Sequence, residues 1–292
     1  MTRPAFSPYD LGRTTIFALA ADPRFQYCLY VPPSVADGAR LDLVVAVHGT
    51  SRTSFLDFRD GLAEFGRWHG CAILCPLFPV GVLGDGARSG YKYIREGSLR
   101  YDAVLLDMVR ETADKYRQDW DRFALFGFSG GGQFVHRFAL LHPTRLWALS
   151  VGSPGSVTLL DPDRDWWVGV RNVAELFGVE FDPAALAAVP VHMAVGDADL
   201  ETWELVHKPG GPHWMEGAND AGATRPQRLA ALRQSFESRG ISVRFDLLPG
   251  AAHDRFRVLE SAKEFLAGAL SARRAGGQAS SQAPAAADRE TA

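Results

Sequence analysis

Cysteine is scarce in this chain: Cys28, Cys71 and Cys75 are the only three among 292 residues. So sparse and odd a set does not build a disulfide framework and fits a reducing compartment, so the cytoplasm is the expected location. Cys71 and Cys75 both fall in an apolar run with strand-like alternation, which reads as buried thiols and not as a metal or redox pair. No apolar run approaches the roughly 18 residues that a membrane span needs. The first ten residues hold Arg3, Pro4, Pro8 and Asp10 where a secretory leader would be apolar, so none is expected. An excess of charge of one sign is lacking too. Lys and Arg total 31 against 34 Asp and Glu, a formal net charge of −3, and no basic block stands out. Nucleic acid and anionic membrane surfaces are therefore not expected partners; a small molecule is.

Core material is plentiful. With 47% hydrophobic and 22% charged residues, the chain suits a single α/β domain, expected over residues 1–270. Continuous apolar runs at 41–47, 71–77, 123–128, 146–151, 189–195 and 243–248 read as strands buried on both faces. Segments with helical spacing lie at 58–69, 99–116, 131–141 and 225–238, with a last one at 256–270. This alternation predicts a mostly parallel central sheet with helices on both faces, and an N-terminal antiparallel hairpin from 14–20 and 25–31. Residues 79–97, rich in glycine, read as a long surface loop. Residues 153–188 and 200–224 exceed ordinary connections and are expected to lie over the active-site face. Their Trp166, Trp167, Trp203 and Trp214, with Tyr91 from the earlier loop, are the expected substrate-binding aromatics; the alternative is that the loop aromatics anchor these long loops on the core. Residues 271–292, dominated by Ala, Gly, Ser and Gln, predict an unstructured tail.

The chemistry centres on Gly127-Phe128-Ser129-Gly130-Gly131, which follows an apolar strand and opens a helix. A G-x-S-x-G string arises easily in a chain with 29 glycines; the strand-to-helix context is what gives it meaning. So sharp a turn holds its central residue in a strained backbone and leaves no room for neighbouring side chains, hence the flanking glycines. The helix start near Gly130 places N–H groups and the positive dipole end where an oxyanion would form.

Such a nucleophile needs a base and an acid. Of eight histidines, His253 alone follows the last strand, where a loop can return an imidazole over the carboxyl edge of the sheet; His207 and His213 are the rivals. His48 reads as a strut for its turn, His192 as a satisfied core histidine, and His136 as lying on a helix surface. For the acid, a strand runs into Gly196-Asp197-Ala198-Asp199; either aspartate could serve, and Asp199, coming after the turn is made, is preferred. The order Ser129, acid, His253 is that of the α/β-hydrolase architecture. The second oxyanion donor is expected from the Thr50 amide, beside that of Gly130.

With His48-Gly49-Thr50, the Ser129 elbow, Gly196 to Asp199 and His253-Asp254, the chain resembles the α/β-hydrolase superfamily over most of residues 41–270. The resemblance implies that the G-x-x-D turn supplies the acid through Asp199 and that His253, followed by an acidic residue, is the base. Ser129-Gly130-Gly131-Gly132 and the lack of a large cap domain are similar to the dienelactone hydrolase, polyhydroxybutyrate depolymerase and feruloyl esterase branch. A serine esterase acting on a small ester, with no metal or cofactor, is the expectation. An amidase or peptidase using the same triad is the first alternative, and a non-catalytic binding protein on this fold the second.

Overall fold

The computed structural model describes residues 6–281. Three short strands come first, β1 (Gly12–Arg13), β2 (Phe17–Ala18) and β3 (Gln26–Val31), with β1 and β2 both antiparallel to β3. The expected hairpin therefore forms with its first arm in two pieces. Next come β4 (Asp42–Val47), α1 (Ser54–Gly61), α2 (Ala63–His69) and β5 (Cys71–Leu77), then a separate ribbon of β6 (Arg95–Glu96) and β7 (Leu99–Arg100). The remainder alternates: α3 (Tyr101–Tyr116), β8 (Phe123–Phe128), α4 (Gly130–Leu141), β9 (Leu146–Gly152), α5 (Val173–Phe177) and α6 (Pro183–Ala187). It closes with β10 (Val191–Gly196), α7 (Arg225–Glu237), β11 (Val243–Leu248) and α8 (Arg255–Ser281).

The main sheet runs β1-β3-β5-β4-β8-β9-β10-β11, parallel from β5 onward. Every residue of β8, β9 and β10 is buried, as strands covered on both faces must be. Apolar layers lie on both sides. Met108 of α3, Phe134 of α4 and Leu229 of α7 belong to one, and Phe58 of α1, Phe65 of α2 and Leu266 of α8 to the other. Phe58 meets Phe126 of the central strand with ring centroids 5.2 Å apart, and truncating such a ring to Ala costs about 3–5 kcal/mol. Cys28, Cys71 and Cys75 are free and buried. Among the described residues no helix is long and apolar enough to cross a membrane.

Three readings of the sequence need correction. The stretch Gly90–Tyr93 is a buried 3-10 turn and not surface loop, because Tyr91 packs into the core beside Phe78 and Phe134 and Tyr93 packs against Trp167. His136 is fully buried, since α4 is covered on all sides. The last helix continues past residue 270 to Ser281: Arg273 and Arg274 bond Asp42 at 3.4 and 2.7 Å, tying the extra turns to the start of β4. The rest of the predicted tail, 282–292, lies outside the described residues.

Candidate active site

Ser129 sits between β8 and α4 with φ +58° and ψ −113°, a conformation that L-residues adopt only when the surroundings enforce it. The enforcement is steric. A Cβ on Gly127 or Gly131 would meet backbone oxygens, Gly131 O and Val47 O respectively, so glycine alone lets α4 lie this close to β4 and β8. The Ser129 N–H donates to Gly152 O at 2.8 Å and its carbonyl accepts from Gln133 N at 3.0 Å, fixing the turn at both ends. The first amides of α4, with no helical acceptor, point toward the serine's side of the sheet.

The imidazole of His253 arrives on the loop after β11. Its Nδ1 lies 2.7 Å from Asp199 Oδ2, and its ring packs on Phe128 with centroids 4.5 Å apart. Donation from Nδ1 to the carboxylate leaves Nε2 with the lone pair. Asp199 is buried, and burial pushes its carboxyl up. The His253 hydrogen bond and Arg225, whose Nη1 donates to Oδ1 at 2.9 Å, outweigh this and hold it below the usual aspartate range. Asp197 does something else: its Oδ1 accepts from Gly250 N at 2.7 Å, pinning the two strand-end loops together. Ser129 and His253 line one cleft of about 450 Å³ with Thr50, Trp203 and Glu204. No hydrogen bond joins Ser129 Oγ to the imidazole among the described residues; such pairs commonly tighten only around a substrate.

Opposite the helix start stands the His48-Gly49-Thr50 turn. A Cβ on Gly49 would come within 3.5 Å of Ser129 Cβ, and one on Gly130 within 3.0 Å of the Thr50 amide nitrogen, so the Thr50 and Gly130 backbones lie close together beside the serine. Buried His48 braces the turn. Its Nε2 accepts from Phe78 N at 3.0 Å and its Nδ1 donates to Gly49 O at 2.8 Å, while burial pulls its pKa down to about 3 and keeps it neutral. Arg52 completes the brace, donating to Thr50 O at 2.5 Å and Phe78 O at 2.8 Å.

The expected aromatics divide. Trp203 lines the Ser129 cleft, and Trp214 lines a neighbouring cavity. Trp166 and Trp167 instead anchor the long loop: Trp166 Nε1 donates to Tyr93 O at 3.1 Å and Trp167 Nε1 to His213 O at 3.0 Å. Their rings pack on Phe177 and Tyr93, not on the cleft around Ser129. Tyr91 is buried under the His48-Gly49-Thr50 turn with its hydroxyl donating to His48 O at 3.3 Å, so it supports that turn from below. Rivals to His253 are also placed: His207 packs on Trp167 and His213 stacks on Tyr93, neither bordering the Ser129 cleft. Arg225 and Arg52 escaped the sequence reading, since a single arginine opening a helix or a turn belongs to no pattern.

No protein-family model matches the sequence, and no curated protein does. Solved structures do. A poly(3-hydroxybutyrate) depolymerase from Bordetella parapertussis superposes with TM-score 0.68 at 23% identity, covering 88% of this chain and 90% of that one. Poly(aspartic acid) hydrolase-1 from Sphingomonas sp. KT-1 gives 0.67 at 19%, covering 82% and 92%. An S-formylglutathione hydrolase from Agrobacterium tumefaciens gives 0.55 at 17%, covering 89% and 98%. Sheet order, the elbow between β8 and α4 and these likenesses agree that the chain has the α/β-hydrolase fold.

Proposed function

We propose that the chain is a serine hydrolase that cleaves a small carboxylic ester through an acyl-enzyme on Ser129. The observation that carries this reading is the 2.7 Å pair of His253 and Asp199 bordering the cleft into which the strained Ser129 projects. The names of the similar structures, hydrolases and a depolymerase, accord with hydrolysis as the reaction.

His253 Nε2 takes the proton of Ser129 Oγ as that oxygen adds to the ester carbonyl carbon. The negative charge moves to the carbonyl oxygen, where the Thr50 and Gly130 amides hold it. As the tetrahedral centre collapses, the C–O bond to the alcohol breaks and His253 returns the proton to the leaving oxygen. Water then repeats the addition with His253 as base, releasing the acid and restoring Ser129. Asp199, kept ionised by Arg225, orients the ring and balances the imidazolium. The three reduced cysteines support placing this activity in the cytoplasm.

Ser129→Ala tests the reading. A folded variant that leaves 4-nitrophenyl butyrate uncleaved is expected, with kcat lower by on the order of 10⁴-fold or more; undiminished turnover would remove the serine from the mechanism.

A further inference from the structure

A second cavity, of about 340 Å³, adjoins the Ser129 cleft, and the ester reading gives it no task. The two are close. Glu204 borders both, and Gln133 on the wall of the second stands one turn of α4 beyond Ser129, roughly 5–6 Å along the helix axis.

Three polar side chains on this wall are more than nine-tenths buried: Lys92 is 9%, Gln133 7% and Ser156 2% exposed. The Lys92 ammonium makes no hydrogen bond or ion pair with any described residue. The Gln133 amide is oriented by its neighbours. Arg137 Nη2 donates to Ser156 Oγ at 3.0 Å, and Ser156 Oγ donates to Gln133 Oε1 at 2.7 Å, so Nε2 is the end without an acceptor. Neither Lys92 Nζ nor Gln133 Nε2 is sealed from solvent: both donors open onto the cavity without a protein acceptor, and two such donors on one wall offer a place for an acceptor.

The charge balance names the acceptor. Burial, helped by the nearby Arg52, Arg137 and Arg225, draws the Lys92 amine down to about 8 while the Glu204 carboxylate opposes the shift, so the amine stays mostly protonated at neutral pH. His207 and His213 line the same cavity and are neutral, burial having pulled both to about 4. Arg137 beneath is engaged by Lys92 O, Thr158 and Ser156. Lys208 also lines the cavity but is exposed, so Lys92 is its one buried cation; beside one amide N–H₂ it matches the two oxygens of a planar monoanion, and Glu204 disfavours a dianion.

Resting on the Ser129 reading, we propose that this cavity is a carboxylate subsite: the substrate is an ester with a free carboxylate several carbons from the scissile carbonyl. Lys92 Nζ and Gln133 Nε2 hold that carboxylate while the ester carbonyl meets Ser129. Both are binding residues and take no part in bond making.

The test compares 4-nitrophenyl half-esters of adipic and suberic acid with their methyl esters, which differ chiefly by the charge. The full chain is expected to favour the free acid by on the order of 10- to 100-fold in kcat/KM, mainly through KM. Lys92→Met and, separately, Gln133→Glu should each collapse that ratio toward one, with melting curves showing that the variants are folded. A wild-type ratio near one, or a ratio that survives both substitutions, would overturn the subsite. Failure of the Ser129 reading looks different: both esters are inert, or Ser129→Ala cleaves both at full rate. In that event calorimetry with adipate decides. Binding to the wild-type chain that weakens on the order of 10-fold in Lys92→Met upholds the subsite, and no binding overturns it.

Discussion

Arg225 Nη1 lies 2.9 Å from Asp199 Oδ1, on the oxygen that His253 does not use, and both side chains are almost wholly buried. The carboxylate thus faces a fixed cation on one side and the imidazole on the other. Breaking a buried pair from one end strands the other charge, typically at about 3–5 kcal/mol.

Arg225→Met is therefore expected to lower unfolding stability at pH 7 by about 3 kcal/mol, and to lower kcat as Asp199 loses its anchor. The pH dependence has a definite sign. Asp199 is held below its ordinary pKa in the folded chain, so its stabilisation is present above about pH 4 and is lost as pH falls through the folded value. Urea midpoints should show the gap between wild type and variant narrowing below about pH 4; a gap that widens there would contradict the pairing.

The two aspartates of the Gly196 turn should part company. Asp199→Asn is expected to cost on the order of 10⁴-fold in kcat, because the amide cannot hold the imidazole in the productive tautomer. Asp197→Asn removes only a charge from the Gly250 N–H contact, and its penalty should appear as about 1 kcal/mol of stability with kcat within a few-fold of wild type. Steady-state kinetics on both variants checks this; equal losses would mean that the loop, and not the carboxylate at His253, is what matters.

Three buried histidines predict acid sensitivity well above the carboxylate range. Burial lowers His48 to about 3, His192 to about 4 and His136 well below the usual value. Their stabilisation is complete above about pH 6.5 and is lost progressively as pH falls from there toward the folded values, each by about 2 kcal/mol at pH 5. Denaturation midpoints between pH 8 and 5 should fall steadily below pH 6.5, and a flat profile across that span would contradict neutral burial.

Much of the fold was legible because its signals are local. The buried strands announce themselves as unbroken apolar runs, and the strand at Phe123–Phe128 and the helix at Gly130–Leu141 follow from one composition change at Gly127. Asp199 and His253 could be proposed as partners because each trails its own strand. What escaped depends on distant packing. Lys92 lies in a glycine-rich stretch whose neighbours Tyr91 and Tyr93 become buried only through rings contributed by other elements. Trp166 and Trp167 carry the composition of a pocket rim, yet their indole N–H groups find carbonyls in other loops and draw them inward. Helix α8 outlasts its apolar spacing because Arg273 and Arg274 reach Asp42, more than 230 positions earlier.

The measurement closest to the central claim is peptide mass spectrometry of the full chain after exposure to a fluorophosphonate ester, which adds covalently to a serine only where a base and an oxyanion site serve it. One adduct per chain is predicted, on Ser129, strongly slowed in His253→Ala. An unlabelled chain, or an adduct at any other residue, would contradict the account.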